Sequence, residues 1–145
     1  MDRSGRSRRR LENFEVNALG SLETAVTLTT PEDIGKLTTE IVFAEPRIRN
    51  KIVFLAGDTV TYDEVADKLE AGLGRPYRRS EWSVPFLMEE LAKDPQNMMR
   101  KYRAAFALGR GVAWDKAGTF NTRQSIPVTD IDAWIHANLD ASGRG

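Results

Sequence analysis

The chain has 145 residues, 41% hydrophobic and 29% charged, with 21 basic and 21 acidic side chains balancing to zero net charge. That is room for one domain with a core and too little for two ordinary ones, and a neutral chain lacks the broad electrostatic grip that nucleic-acid binding draws on. The absence of cysteine and the single histidine, His136, exclude disulfides, thiol catalysis and zinc–thiolate or multi-histidine metal sites, and no apolar run reaches the length of a membrane span.

Residues 1–13 pack Arg3, Arg6, Arg8, Arg9 and Arg10 among Ser and Gly. A disordered basic tail is the favoured reading, with nuclear localisation or anion binding as the functional alternative. The N-terminus has no apolar stretch of the kind a secretory signal needs. With the lack of cysteine, this predicts a cytoplasmic protein, the nucleus being the alternative that the tail leaves open. The expected organisation is a tail over 1–13, one folded region over 14–140 and a flexible C-terminus over 141–145.

Phe14 to Ser21 reads as a loop, and Ala25 to Thr29 alternates enough for a short strand. Thr30-Pro31-Glu32-Asp33 opens a helix: a capping hydroxyl, a proline at the first helical position and two carboxylates at the positive end of the dipole. Ile34, Leu37, Ile41, Val42 and Ala44 form its expected apolar side, and Pro46 marks the exit. Asp33 is read as a capping carboxylate, not a catalytic one.

The most strongly patterned stretch is Asn50 to Arg79. Lys51-Ile52-Val53-Phe54-Leu55-Ala56 predicts a buried strand, stopped by Gly57-Asp58. Thr61-Tyr62-Asp63-Glu64 has capping-box spacing. Val65, Ala66, Leu69 and Leu73 then stripe one helix face, which Gly72, Gly74 and Pro76 end. A non-alternating strand feeding an amphipathic helix points to a parallel sheet covered by helices, an α/β fold.

Tyr77 to Trp82 predicts a strand, with Arg75, Arg78 and Arg79 either holding a phosphate or lining a solvated edge. Ser83-Val84-Pro85 opens a helix carrying Phe86, Leu87, Glu90 and Leu91. Asp94-Pro95 stops it and is expected to cap and start the next. There Met98, Met99, Tyr102, Ala105 and Phe106 predict a core-facing stripe. Gly109-Arg110-Gly111 closes that helix, Val112 to Gln124 is irregular and aromatic, and Thr129-Asp130-Ile131-Asp132 caps a last helix through Trp134, Ile135 and Leu139. His136 stands near its end, where a cation is mildly favoured.

No complete catalytic site is legible. Gly72-Leu73-Gly74 and Gly109-Arg110-Gly111 come near the G-x-G-x-x-G turn, but Tyr77 and Trp114 occupy the third glycine position and both follow a helix where a strand is needed. No tyrosine is followed at the fourth place by lysine, and there is no Walker loop or Gly-x-Ser-x-Gly elbow. The neighbouring carboxylates Asp63-Glu64 and Glu89-Glu90 face different directions on their helices.

Several separated blocks nonetheless fall in a familiar order: VNALGS (Val16–Ser21), VTLTTPEDIGKLTTEIVFAEPRIRNK (Val26–Lys51), AGDTVTYDEVAD (Ala56–Asp67), EELAKDP (Glu89–Pro95) and GRGVAWDKAGTFN (Gly109–Asn121). They resemble the C-terminal half of fungal NmrA-like, isoflavone-reductase-like proteins, atypical members of the short-chain dehydrogenase/reductase superfamily, over roughly residues 16–139. The resemblance implies late strands and helices of a Rossmann-like NAD(P)-binding fold, followed from Pro76 by a smaller, mainly helical substrate-binding region. It implies a parent activity of NADPH-dependent reduction of an aromatic or phenolic small molecule. It also implies that the family's glycine-rich turn and lysine have no counterpart here. NADP is thus the implied cofactor, with no binding by this chain alone, no catalytic or cofactor-binding residue assigned, and no activity in isolation. Gly111, Val112, Trp114 and Phe120 are the candidate wall of the substrate pocket. The alternatives are a non-enzymatic regulator of the NmrA type that binds a partner protein, or a small-molecule binding domain. The expected partners are a small aromatic substrate and, through an exposed sheet edge, another copy of the chain; nucleic acid and membrane are not expected.

Overall fold

The computed structural model describes residues 14–139, so the expectations for the basic tail and for residues 141–145 lie outside the described residues. Strand β1 (Glu15–Leu19) pairs in parallel with β4 (Arg78–Trp82), Glu15 opposite Arg78 and Leu19 opposite Trp82. Strand β2 (Ala25–Leu28) pairs antiparallel with β3 (Asp58–Thr61), Ala25 opposite Thr61. The helices are α1 (Pro31–Val42), α2 (Tyr62–Leu73), α3 (Val84–Lys93), α4 (Met98–Ala107), α5 (Phe120–Arg123) and α6 (Ile131–Asn138). A short 3-10 turn occupies Lys116–Gly118. The mixed α/β class, with parallel strands and helices, is as expected.

The core gathers Val16 of β1, Ala66, Leu69 and Leu73 of α2, Tyr77 and Ile135 of α6, with Phe14, Val65, Ile131 and Leu139 against it. Helix α2 is the element the others pack on, meeting both β1 and α6. Its stripe is as the sequence predicts. Thr61 accepts from the Glu64 N–H at 3.2 Å, and Gly74 takes the left-handed C-cap at φ 68°. Gly72 lies inside the helix because α6 passes so close that a Cβ there would sit 2.9 Å from the Ile135 side chain.

Three expectations are corrected. Phe14 to Ser21 is mostly strand β1: Phe14, Val16 and Ala18 alternate with polar Glu15 and Asn17, and Val16 and Ala18 are buried. Lys51–Ala56 is not a buried strand; it has no ladder partner among the described residues, and Ile52 is 83% exposed. The strand begins where a turn was expected, at Asp58, because β2 lies alongside and the Thr27 and Thr59 hydroxyls meet at 2.8 Å.

The third correction concerns the helical stripes. Helix α4 is capped by Asn97, which accepts from the Arg100 N–H at 3.1 Å, not by Asp94-Pro95. Met98, Met99 and Tyr102 are exposed, and Ala104 and Ala107 are its buried residues. Small side chains let this helix approach β1 so closely that a Cβ on Gly20, itself at φ 90°, would lie 2.6 Å from the Ala107 carbonyl oxygen. In α1, likewise, Leu37 is buried while Ile34 and Val42 are exposed.

Gly57 is another forced glycine. A Cβ there would lie 2.6 Å from the Thr129 carbonyl oxygen and 3.0 Å from that of Leu28, both backbone atoms that cannot swing aside. Gly57→Ala is expected to destabilise the chain by about 1–3 kcal/mol, the range for overpacking a close-packed site. A denaturant midpoint equal to the parent's would contradict this contact.

Candidate functional site

A cavity of about 360 Å³ opens where the first turns of α1 and α6 come together over α2. Its size falls at the small end of ligand sites. Val65 and Leu69 from α2 and Ile131, Trp134 and Ile135 from α6 supply most of its apolar wall, with Leu28 and Pro31 facing them. Both helix starts are already capped: the Thr30 hydroxyl accepts from the Asp33 N–H at 3.2 Å and Asp130 from the Ala133 N–H at 2.8 Å.

Asp58 is the buried charge of the cavity, 6% exposed. One carboxylate oxygen accepts from the Thr59 N–H at 3.0 Å and the Lys116 ammonium at 3.1 Å. The other accepts from the Ile131 N–H at 3.2 Å, the first residue of α6. Burial is the largest single influence and pushes the carboxyl up. The Ile131 N–H, the Lys116 ammonium and the charge of Lys68 together outweigh it and hold the group below the usual carboxylate value. Lys68 is raised, first by its 2.6 Å hydrogen bond to Asp132.

The sequence-predicted pocket residues lie elsewhere. Val112 accepts from the Thr27 N–H at 2.9 Å through its carbonyl. The Trp114 N–H donates to the Thr27 hydroxyl at 3.0 Å, its carbonyl accepts from the Thr59 hydroxyl at 2.7 Å, and its indole N–H donates to the Leu55 carbonyl at 2.8 Å. Its ring lies 5.2 Å from that of Phe54. The Phe120 N–H donates to the Phe54 carbonyl at 2.9 Å, while Gly111 is an exposed hinge at φ 68°. The structure thus gathers Val112, Trp114 and Phe120 on the β2–β3 ribbon and the Lys51–Ala56 segment, and none of the four lines the cavity.

Two residues of this region escaped the sequence reading. Asn121, buried, accepts from the Ala56 N–H at 3.1 Å and donates to the Ala56 carbonyl at 2.9 Å. Asp58 was read as turn chemistry. A carboxylate starting a strand and followed by threonines carries no local mark of burial; two of its three donors are 58 and 73 residues away. Asp33, expected to cap, leaves that role to the Thr30 hydroxyl, and its carboxylate accepts from the Thr129 N–H at 2.6 Å.

Two of the three arginines at the strand edge are engaged within the chain. Arg79 is clamped by three α2 carboxylates: Asp63, Asp67 at 2.7 Å and Glu70 at 3.2 Å. Those contacts, Asp67 and Asp63 foremost, raise its already high pKa. Arg75 stacks over the Phe14 ring at 3.7 Å. Among the described residues no cluster of three or more His, Asp or Glu could hold a metal ion, and no helix is long and apolar enough to cross a membrane.

Fold and site define a mixed α/β chain in which helices and the end of an antiparallel strand pair enclose an apolar cavity. No family model matches it. The chain is 38% identical over 126 residues to an NmrA-like family domain-containing oxidoreductase of Gibberella moniliformis, an alignment covering 86% of this chain. The resemblance to NmrA-like proteins read from the separated blocks therefore holds, along 86% of the chain. It spans 41% of the length of that relative.

The folded pKa of Asp58 lies below its unfolded value. Its stabilising contribution is therefore complete above the ordinary carboxylate value and is lost as pH falls through the folded one. Asp58→Asn is expected to cost about 1–3 kcal/mol near neutral pH, the penalty for weakening a buried charged hydrogen-bond set. The gap to the parent should narrow below about pH 4. A gap in denaturant midpoint that stayed constant from about pH 7 to about pH 2 would rule out this linkage.

Proposed function

We propose that the chain is the C-terminal, substrate-side part of an NADPH-dependent oxidoreductase of Rossmann-like fold that acts on an aromatic or phenolic small molecule. It does not turn over by itself. The observation that carries this reading is the 38% identity running through 86% of the chain to a relative described as an oxidoreductase, of whose length only 41% is matched. Hydride transfer from a nicotinamide needs the dinucleotide fixed against the substrate carbonyl, and the pyrophosphate is ordinarily held by a glycine turn at a helix N-terminus.

The glycine pairs of this chain stand at the opposite pole. Gly74 caps the C-terminus of α2, and Gly109 and Gly111 follow the C-terminus of α4. There the helix dipole is negative and unsatisfied carbonyls face an incoming phosphate. Arg79, the arginine best placed to compensate, is neutralised by Asp63, Asp67 and Glu70. Burial pushes the Tyr62 and Tyr77 phenols up, away from the range in which a tyrosine relays a proton at neutral pH. The chain is thereby left with the substrate's side of the reaction. On this reading Val112, Trp114 and Phe120, hinged at Gly111, present the wall against an aromatic substrate, and the rest of the oxidoreductase supplies the coenzyme.

Titration of the isolated chain with NADPH, followed by nucleotide fluorescence, is expected to give no saturable binding and no reduction of aromatic ketones. Joining the chain to the unmatched part of the Gibberella relative is expected to restore both. Tight NADPH binding by the chain alone would overturn the reading.

A further inference from the structure

The cavity where α1 and α6 meet over α2 stands apart from the substrate wall proposed above, since Val112, Trp114 and Phe120 do not line it. Leu69 and Ile135, 4% and 2% exposed, lie at its depth, while Leu28 and Trp134, 44% and 40% exposed, stand toward its mouth. Side chains that border such a space lack van der Waals partners on one side. Apolar spaces of this kind stay dry and take up small apolar molecules. Trp134 is the conspicuous member. The rings of Trp82 and Trp114 each meet a second ring, Phe86 and Phe54. Among the described residues the Trp134 ring meets none, and its indole N–H makes no hydrogen bond.

The wall also holds one polar position that the fold leaves half used. One Asp58 oxygen receives the Thr59 N–H and the Lys116 ammonium, and the other receives only the Ile131 N–H, at 3.2 Å. A carboxylate oxygen can accept two donors, so a group 6% exposed keeps a lone pair unmet where it lines the cavity. The neighbouring polar groups serve the fold: the Thr29 hydroxyl accepts from the Gly57 N–H at 3.3 Å, and Thr30 and Asp130 cap their helices. Charge then selects the ligand. Lys116 already pairs with Asp58, and the starts of α1 and α6 bring the positive ends of their dipoles to the same space, so a cation gains little there. An anion would meet Asp58 and Asp130. A neutral donor suits the position best.

We propose that this cavity is a second small-molecule site, which takes a neutral, flat aromatic molecule carrying one N–H or O–H donor. Its ring lies against Trp134 and Val65, and its donor completes the half-used oxygen of Asp58. A volume of about 360 Å³ suits a ligand of about one or two rings and is far too small for a dinucleotide. The occupant ties α6 to α2 and takes no part in hydride transfer, so the site stands whether or not the proposed activity does.

Calorimetric titration of the full chain with indole tests this. Saturable binding at one site per chain is expected, together with a melting temperature that rises with indole concentration. 1-Methylindole has nearly the same shape and no donor, and is expected to bind at least ~10-fold more weakly, for the loss of one hydrogen bond to a charged group. Leu28→Trp, which fills the mouth from an exposed position, is expected to abolish binding. Should that variant fail to fold, Trp134→Ala is expected to weaken indole by at least ~10-fold through the lost ring contact. Absence of saturable binding would overturn the proposal. So would indole binding unchanged in the folded variants, 1-methylindole binding as well as indole, or tighter binding of the charged tryptamine or indole-3-acetate.

Discussion

A carboxylate with almost no access to water sits at the first residue of β3, and much of the chain's C-terminal third is hung from it. Burying Asp58 is costly unless every oxygen finds a donor. Its donors come from three places: its own strand through Thr59, the 3-10 turn through Lys116, and the start of α6 through Ile131. The stretch just before α6 has no regular structure, so its backbone groups must be met from outside. Asp33 accepts from the Thr129 N–H, Lys36 donates to the Pro127 carbonyl, and the missing side chain of Gly57 lets β3 close against the Thr129 carbonyl. Only with this stretch pinned does α6 lie on α2, Ile135 reach the core and the cavity acquire its second wall.

The polarity of the helix ends bears on which ligands the chain can hold. Arginines beside a glycine pair invite a phosphate reading, and Arg75-Pro76-Tyr77-Arg78-Arg79 shortly after Gly74 fits that description in sequence. The structure spends the Arg79 charge internally. Asp63, Asp67 and Glu70 recur at helical spacing on the face of α2 that looks at β4, so Arg79 locks helix to strand. Two of those carboxylates are well exposed, which limits the strength of each pair in water. The gain is geometric: one planar guanidinium serves several acceptors at once and fixes the register between α2 and β4.

What the sequence disclosed and what it hid divide along the range of the interactions concerned. Caps are local, and the ones at Thr30, Thr61, Ser83 and Asp130 were legible because hydroxyl or carboxylate and N–H lie three residues apart. The α2 stripe was legible for the same reason. The start of α4 was misplaced because Asp94-Pro95 and Asn97 both carry start signals, and only the packing of the helix against α3 and β1 decides between them. Its buried face, Ala104 and Ala107, is masked in the sequence by the larger apolar side chains around it, whereas close helix–strand approach rewards small ones. Of the candidate pocket, the sequence exposed the aromatics and concealed their anchors: the donors and acceptors that hold Trp114 and Phe120 come from Thr27, Phe54, Leu55 and Thr59, far away in the chain.

The same division explains why the most strongly patterned strand of the sequence is the one without a ladder. A helix satisfies its own backbone, so α4 keeps its form while Met98, Met99 and Tyr102 face outward. Isolated apolar side chains on a surface are ordinary. A strand satisfies nothing by itself. Its N–H and C=O groups wait on a neighbour, and the apolar run Ile52-Val53-Phe54-Leu55 specifies burial between layers without naming the layer. Helices are therefore legible, and stable, whether or not the adjoining part of a larger fold is present, whereas the regularity of a central strand is a property of the pair. In this chain β1 and β4 find each other across 58 residues, whereas Lys51–Ala56 has no ladder partner among the described residues.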